Sequence, residues 1–181
     1  MTPKFEYAFR RTLAWEQGLE TAETARRIHD SGGATMDGIS DAADGVVDGK
    51  ANYPRAGVAN VPIESLTIEQ VKGIYFVYWW LPFRCESVAD TRLAALVFDM
   101  FVNLGPAGGG KIIQKAVNTF LPDALKIAVD GLVGSVTLAK VNELPTVALN
   151  NKICDLRTAH YREKDPTLLQ LQRRSESYRL S

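Results

Sequence analysis

The sequence has little of what metal, redox and disulfide chemistry needs. Only two cysteines, Cys85 and Cys154, and two histidines, His29 and His160, occur in 181 residues. Two cysteines build neither a disulfide framework nor a zinc quartet, and no His/Cys group has metal-ligand spacing. No metal and no cofactor is therefore expected. A reducing compartment is the simpler setting for these thiols, with a single cross-link between them left open. A surplus of either charge is also missing: 21 Lys+Arg stand against 21 Asp+Glu. That balance argues against a nucleic-acid binder, which usually carries excess cations, and against long-range capture by an anionic surface. Long apolar runs are absent as well. The longest, Ile74 to Phe83, falls far short of the ~20 residues that span a bilayer. The opening residues, Met1-Thr2-Pro3-Lys4-Phe5-Glu6, show no apolar leader core.

What remains is the composition of an ordinary globular chain, 46% hydrophobic and 23% charged. Helical spacing dominates it. Phe5, Ala8, Phe9, Thr12, Leu13 and Glu16 line one stripe, with Thr2 as cap, Pro3 as first helical residue and Gly18 as stop. Glu16 thus closes a buried stripe. Residues 19–65 then turn rich in Gly and Asp. Gly32-Gly33, Asp37-Gly38, Asp44-Gly45 and Asp48-Gly49 are turn dipeptides, and Gly45 to Val47 is expected to pair as a small hairpin. Such a stretch is too long for a plain connector and reads as a lobe.

Helices resume at Ser65 or Thr67 and run through Val71, Ile74, Tyr75, Tyr78 and Trp79 to Pro82. The next, about Ser87 to Leu104, is apolar nearly all round and should be the buried central helix. Gly105 to Gly110 is expected to break it. Further helices follow around Ile112–Phe120, Thr137–Leu144, Pro145–Tyr161 and Thr167–Tyr178. The expected fold is mainly α: a helical bundle around a buried central helix, with a small Gly/Asp-rich β-hairpin lobe inserted early.

Three chemistries compete with plain structural roles. Gly105-x-x-x-x-Gly110-Lys111 matches most of a phosphate loop, but Ile112 stands where a Mg²⁺-binding Ser or Thr belongs, so a helix connector is preferred. A Cys/His pair is disfavoured because Cys154 lies on an apolar helix face. The third candidate is Glu16 followed by the Gly-rich turn bearing Asp30 and Thr35. A carboxyl at the end of a buried stripe is desolvated and stays protonated near neutrality, as a general acid requires. Facing it, Asp30 and Thr35 would offer a carboxylate and a hydroxyl, the arrangement that glycosidases use.

The same residues carry a resemblance. Glu16-Gln17-Gly18, followed by Asp30-Ser-Gly-Gly-Ala-Thr35-Met-Asp-Gly38-Ile39, resembles the Glu-Gly-Gly and Asp-x-Gly-Gly-x-Thr-x-x-Gly-Ile signature of glycoside hydrolase family 108. Tyr78-Trp79, Phe98-Asp99-x-x-Val102-Asn103-x-Gly105, Asp130-Gly131-x-x-Gly134-x-x-Thr137 and Arg157-x-x-x-Tyr161 resemble later motifs of that family in the right order. Two departures stand out. Gln17 replaces a Gly, and the Glu16 to Asp30 spacing is about five residues longer than the pattern, which keeps Glu20 and Glu23 as minor acid candidates.

The resemblance implies a lysozyme-like α+β fold and an N-acetylmuramidase, as in phage endolysins and secretion-linked muramidases. It implies a catalytic lobe at 1–104 and a helical peptidoglycan-binding region at 105–181, packed together. Glu16 would be the general acid, assisted by Asp30 or Thr35. Tyr53, Tyr78, Trp79 and Asn103 would contact the sugar, and residues 41–64 would line the groove or form a flap. The partner would be bacterial peptidoglycan, met by a monomer without nucleic acid or stable membrane association. As an endolysin the chain would wait in the host cytoplasm before release to the wall at lysis. A catalytically inactive wall-binding protein of the same fold is the alternative. The neutral total charge is expected to split into an acidic Gly/Asp lobe and a basic end carrying Arg157, Arg162, Lys164, Arg173, Arg174 and Arg179.

Overall fold

Thr2 and Pro3 open the first helix as their chemistry predicts: the Thr2 hydroxyl accepts a hydrogen bond from the Phe5 N–H at 3.2 Å. The computed structural model describes the backbone of residues 1–16, 28–30 and 33–181, and the side chains of 1–16 and 36–181. Two compact units result, Met1–Pro82 and Phe83–Ser181. The expected boundary at 104/105 falls inside a helix of the second unit.

In the first unit, helix α1 (Pro3–Glu16) buries Phe5, Ala8, Phe9 and Thr12, four of the six stripe residues, and leaves Leu13 and Glu16 half-buried. A three-stranded antiparallel sheet follows: β1 (Ile28–Asp30), β2 (Gly33–Met36) and β3 (Ile39–Ser40), in that order. Met36 pairs with Ile39, so Asp37-Gly38 is a two-residue turn. Both turn residues have positive φ, 52° and 79°, the signs of a type I′ hairpin for which Asp-Gly is suited. A second hairpin joins β4 (Lys50–Tyr53) to β5 (Val58–Pro62) through a tight 3-10 turn at Pro54–Ala56. The hairpin expected at Gly45 to Val47 does not form. Gly45 instead caps a 3-10 turn at Asp41–Asp44 in the left-handed conformation, and Val46 and Val47 are exposed. Among the described residues no strand pairs with this segment.

Helix α2 (Ile68–Tyr75) starts at a capping box between Thr67 and Gln70. It then widens into a π-helical turn, Phe76–Trp80, which changes the register in which the aromatic run is presented.

The second unit is built on α3 (Thr91–Asn118). Asp90 caps it, and every side chain from Leu93 to Phe101 is buried, so the expectation of a buried helix holds. The helix is long and apolar enough to span a membrane by length and composition alone, yet 61% of its most apolar window is buried. The expected break is sharper than predicted. Gly105 alone leaves helical geometry (φ 70°, ψ 160°), and Pro106 restarts the helix at once. Residues 106–110 are therefore helical, which removes the phosphate-loop reading. Their glycines serve packing instead: a Cβ on Gly110 would collide with the Gly131 carbonyl, and one on Gly109 would sit 2.9 Å from that of Met100. Helices α4 (Ser135–Glu143), α5 (Thr146–Lys164) and α6 (Leu169–Ser177) complete the unit.

Candidate active site

Glu16 is the last residue of α1 and is half-buried. Its carboxylate lies against the Asp37-Gly38 turn. A Cβ built on Gly38 would stand 3.0 Å from Glu16 Oε2 and 3.2 Å from its Cγ, and would overlap the Tyr75 hydroxyl. Tyr75, from the last turn of α2, donates its hydroxyl to the Asp37 carbonyl at 3.0 Å. The acid, the turn and the phenol thus occupy one spot in the first unit. Gly38 itself is exposed, so this spot is open on one side, while Asp37 is buried.

An aromatic run leads away from it. The Tyr75 and Trp79 rings are 5.4 Å apart, Trp79 and Tyr78 6.3 Å, and Tyr78 and Tyr53 5.2 Å in an edge-on contact. Trp79 and Tyr78 are half-buried and keep part of their surface available. Tyr53 is only 5% exposed, and burial pushes its phenol up to about 12. Its hydroxyl donates to the Ser40 carbonyl at 3.3 Å, so Tyr53 props Tyr78 rather than offering a ring face of its own. Tyr78 gains a second support: the Arg55 N–H donates to its hydroxyl at 3.3 Å, and the Arg55 guanidinium stands 5.2 Å over its ring.

A family model described as Glycosyl hydrolase 108 matches residues 9–105, more than half of the chain and all of the cluster just described. The chain belongs to the glycosyl hydrolase 108 family. It is therefore a glycoside hydrolase by family. The solved structure of SagA from Brucella abortus is similar to it over 98% of this chain and 96% of that one, with a TM-score of 0.64 and 21% identity. At that identity the likeness speaks for the fold: the mainly α architecture with a small β lobe is shared. No curated protein sequence matches.

In this glycosyl hydrolase 108 protein the other expected site residues divide by position. Asp30 pairs with Gly33, and Thr35 lies on β2 opposite both Ile28 and Ser40. The side chains of Asp30 and Thr35 lie outside the described residues, as do Gln17, Gly18, Glu20 and Glu23. Asn103 lies in the second unit. Its side-chain oxygen accepts from the Tyr161 hydroxyl and, at 3.3 Å, from Arg157 Nη2.

Asp99, from the same family-like helix motif as Asn103, is fully buried between two guanidiniums of the second unit. Arg157 Nη2 reaches Asp99 Oδ2 at 2.7 Å, and Arg174 Nη2 reaches Oδ1 at 2.6 Å. Burial by itself would raise the Asp99 carboxyl, but the two cations outweigh it and hold it far below the usual range. Asp99 found the partner that an acid on an apolar helix requires. This corrects the expected basic end. Arg157 and Arg174 are buried ion-pair members, and Arg179 is tied to Asp155 and Glu176. Of the six, only Arg162, Lys164 and Arg173 are exposed cations with no acid partner among the described residues. The charge split does exist. The first unit carries 8 Lys+Arg against 11 Asp+Glu, and the second carries 13 against 10.

Two residues of the cluster carry no site role in the sequence by itself. Tyr75 reads as one more apolar position of α2, and Gly38 as half of a turn dipeptide and a glycine of the family-like signature. A phenol on a helix stripe is a usable signal, because a buried Tyr hydroxyl needs a partner. The Asp130-Gly131 motif proves to be a stapled turn. The Gln114 amide donates to Asp130 Oδ1 at 2.7 Å and accepts from the Gly131 N–H at 2.7 Å. A shallow cavity of about 330 Å³ lies beside it, lined by Leu132, Val136 and Thr137 among others. A larger open hollow of about 560 Å³ flanks Tyr7, Arg10 and Arg11 of α1 and includes none of the cluster residues.

Proposed function

We propose that the protein hydrolyses the β-1,4 bond between N-acetylmuramic acid and N-acetylglucosamine in peptidoglycan, with Glu16 as general acid. The observation that carries this reading is the seat of the Glu16 carboxylate. It closes an apolar helix stripe, is half-buried against an open turn, and lies within the family-matched segment at the head of an aromatic run. As general acid, Glu16 would donate its proton to the glycosidic oxygen as the bond breaks. Trp79 and Tyr78 supply flat surfaces of the size of a pyranose ring beside it. Asp30 or Thr35, on the adjoining hairpin, would position the attacking water or steady the developing positive charge. Helices α3 to α6 would hold the polymer, with the protein acting as a monomer.

The test uses purified peptidoglycan and the Glu16→Gln variant. Wild type should release new reducing ends on muramic acid, and the variant should release almost none while remaining folded. Reducing ends on glucosamine would refute the bond assignment. Binding without cleavage by wild type would favour the inactive wall-binding alternative, for which the Gln17 replacement and the longer Glu16 to Asp30 spacing speak.

A further inference from the structure

We infer that Tyr75 is a positioning residue for the Glu16 carboxylate, acting through the Asp37-Gly38 turn. The inference rests on Glu16 being the acid.

Tyr75 is 1% exposed, so it does not reach a substrate. It holds two elements at once. Its ring packs 5.7 Å from that of Phe9, which lies two turns before Glu16 on α1. Its hydroxyl donates to the Asp37 carbonyl at 3.0 Å and so pins the hairpin tip. The helix that carries the acid and the turn against which the acid rests are thereby joined by one side chain. Gly38 shows how tight the joint is. At φ 79° a methyl group on it would meet both the Tyr75 hydroxyl and Glu16, so there is no room for one. The π-helical widening begins at Phe76, directly after Tyr75. That local change of winding lets Tyr75 face α1 and the hairpin while Tyr78 and Trp79 keep part of their surface exposed.

A general acid displaced by about 1 Å can lose on the order of 10²-fold in rate, whereas sugar binding along the aromatic run would be untouched. The expected signature is a fall in kcat with little change in KM.

The experiment compares wild type, Tyr75→Phe, Gly38→Ala, the double variant and Glu16→Gln on soluble peptidoglycan fragments. Tyr75→Phe should lose about 10- to 100-fold in kcat, with KM within about threefold and the thermal midpoint within about 4 °C of wild type. Gly38→Ala should lose at least as much in kcat by pushing the hydroxyl and the acid apart. It carries the test if Tyr75→Phe fails to fold. Removing the hydroxyl also removes the worst collision of the added methyl, so the double variant should be no slower than Gly38→Ala alone. Wild-type kcat in Tyr75→Phe, or strictly multiplicative losses in the double variant, would overturn the inference. An inactive Glu16→Gln beside a fully active Tyr75→Phe defeats only the role of Tyr75. An active Glu16→Gln defeats the acid assignment, and the inference with it.

Discussion

Replacing Asp99 by Asn removes one negative charge from between two buried guanidiniums while nearly preserving the shape. Asp99, Arg157 and Arg174 are 0%, 0% and 4% exposed, so water cannot take over the missing charge. Arg157 is already strained for partners: among the described residues its Nη1 is one of three buried side-chain polar atoms without a hydrogen bond. The triad carries a net +1 in the wild type and would carry +2 in the variant. Removing one partner of a buried ion pair typically costs about 3–5 kcal/mol, against a total stability of ~5–15 kcal/mol. For a chain of this length that corresponds to roughly 6–20 °C in thermal midpoint. Urea unfolding followed by circular dichroism should show the loss as a lower midpoint with an unchanged slope. Replacing all three residues by apolar side chains of similar volume should recover most of it, because no charge is then left unpaired. The pH dependence has a defined sign. The folded Asp99 carboxyl is held below its unfolded value, so its contribution is present above about pH 4 and is lost as pH falls further. Asp99→Asn should lack that acid-limb loss. A variant within about 1 kcal/mol of wild type, or one with the same acid limb, would refute the reasoning.

Other consequences can be checked independently. Gly110→Ala should destabilise by about 1–3 kcal/mol in urea unfolding, because its methyl meets the Gly131 carbonyl and backbone cannot step aside as a side chain can. Thr67→Ala removes one half of a capping box and should cost about 1 kcal/mol by the same measurement. Both cysteines are buried; burial pushes the Cys154 thiol up to about 11 and raises that of Cys85 further. Native protein should therefore resist a thiol reagent at pH 8, and unfolded protein should react at both sites. Wall binding should weaken only modestly with salt, and neutralising Arg162, Lys164 and Arg173 together should remove most of that dependence.

Local signals in this chain were strong where one residue decides the outcome with its near neighbours. The Thr2-Pro3 start, the Thr67 cap, the Asp37-Gly38 turn and the Gly105-Pro106 break all depend on backbone chemistry within four residues, and each is found at or beside its expected place. Glu16 was legible for the same reason: helix periodicity alone puts it at the end of a stripe. The Gly45 to Val47 hairpin failed because strand pairing needs a partner, and nothing local supplies one. Which residues meet Glu16 was a question of another kind. Tyr75 and Gly38 are 37 positions apart, and the acid is a further 22 positions before the glycine. No periodicity links such distances; only the packing of α1, the hairpin and α2 brings them to one point. The basic end shows the same limit. Charge counts read from composition treat every arginine alike, whereas the fold buries Arg157 and Arg174 to neutralise Asp99 and leaves others at the surface. The sequence by itself determined the helical class, the caps and turns, and the acid at the end of its stripe, because those follow from short-range sterics and hydrogen bonding. Tertiary structure alone decided which polar groups are paired inside and which stand beside the acid, because burial and electrostatics depend on neighbours that the chain brings together only when it folds.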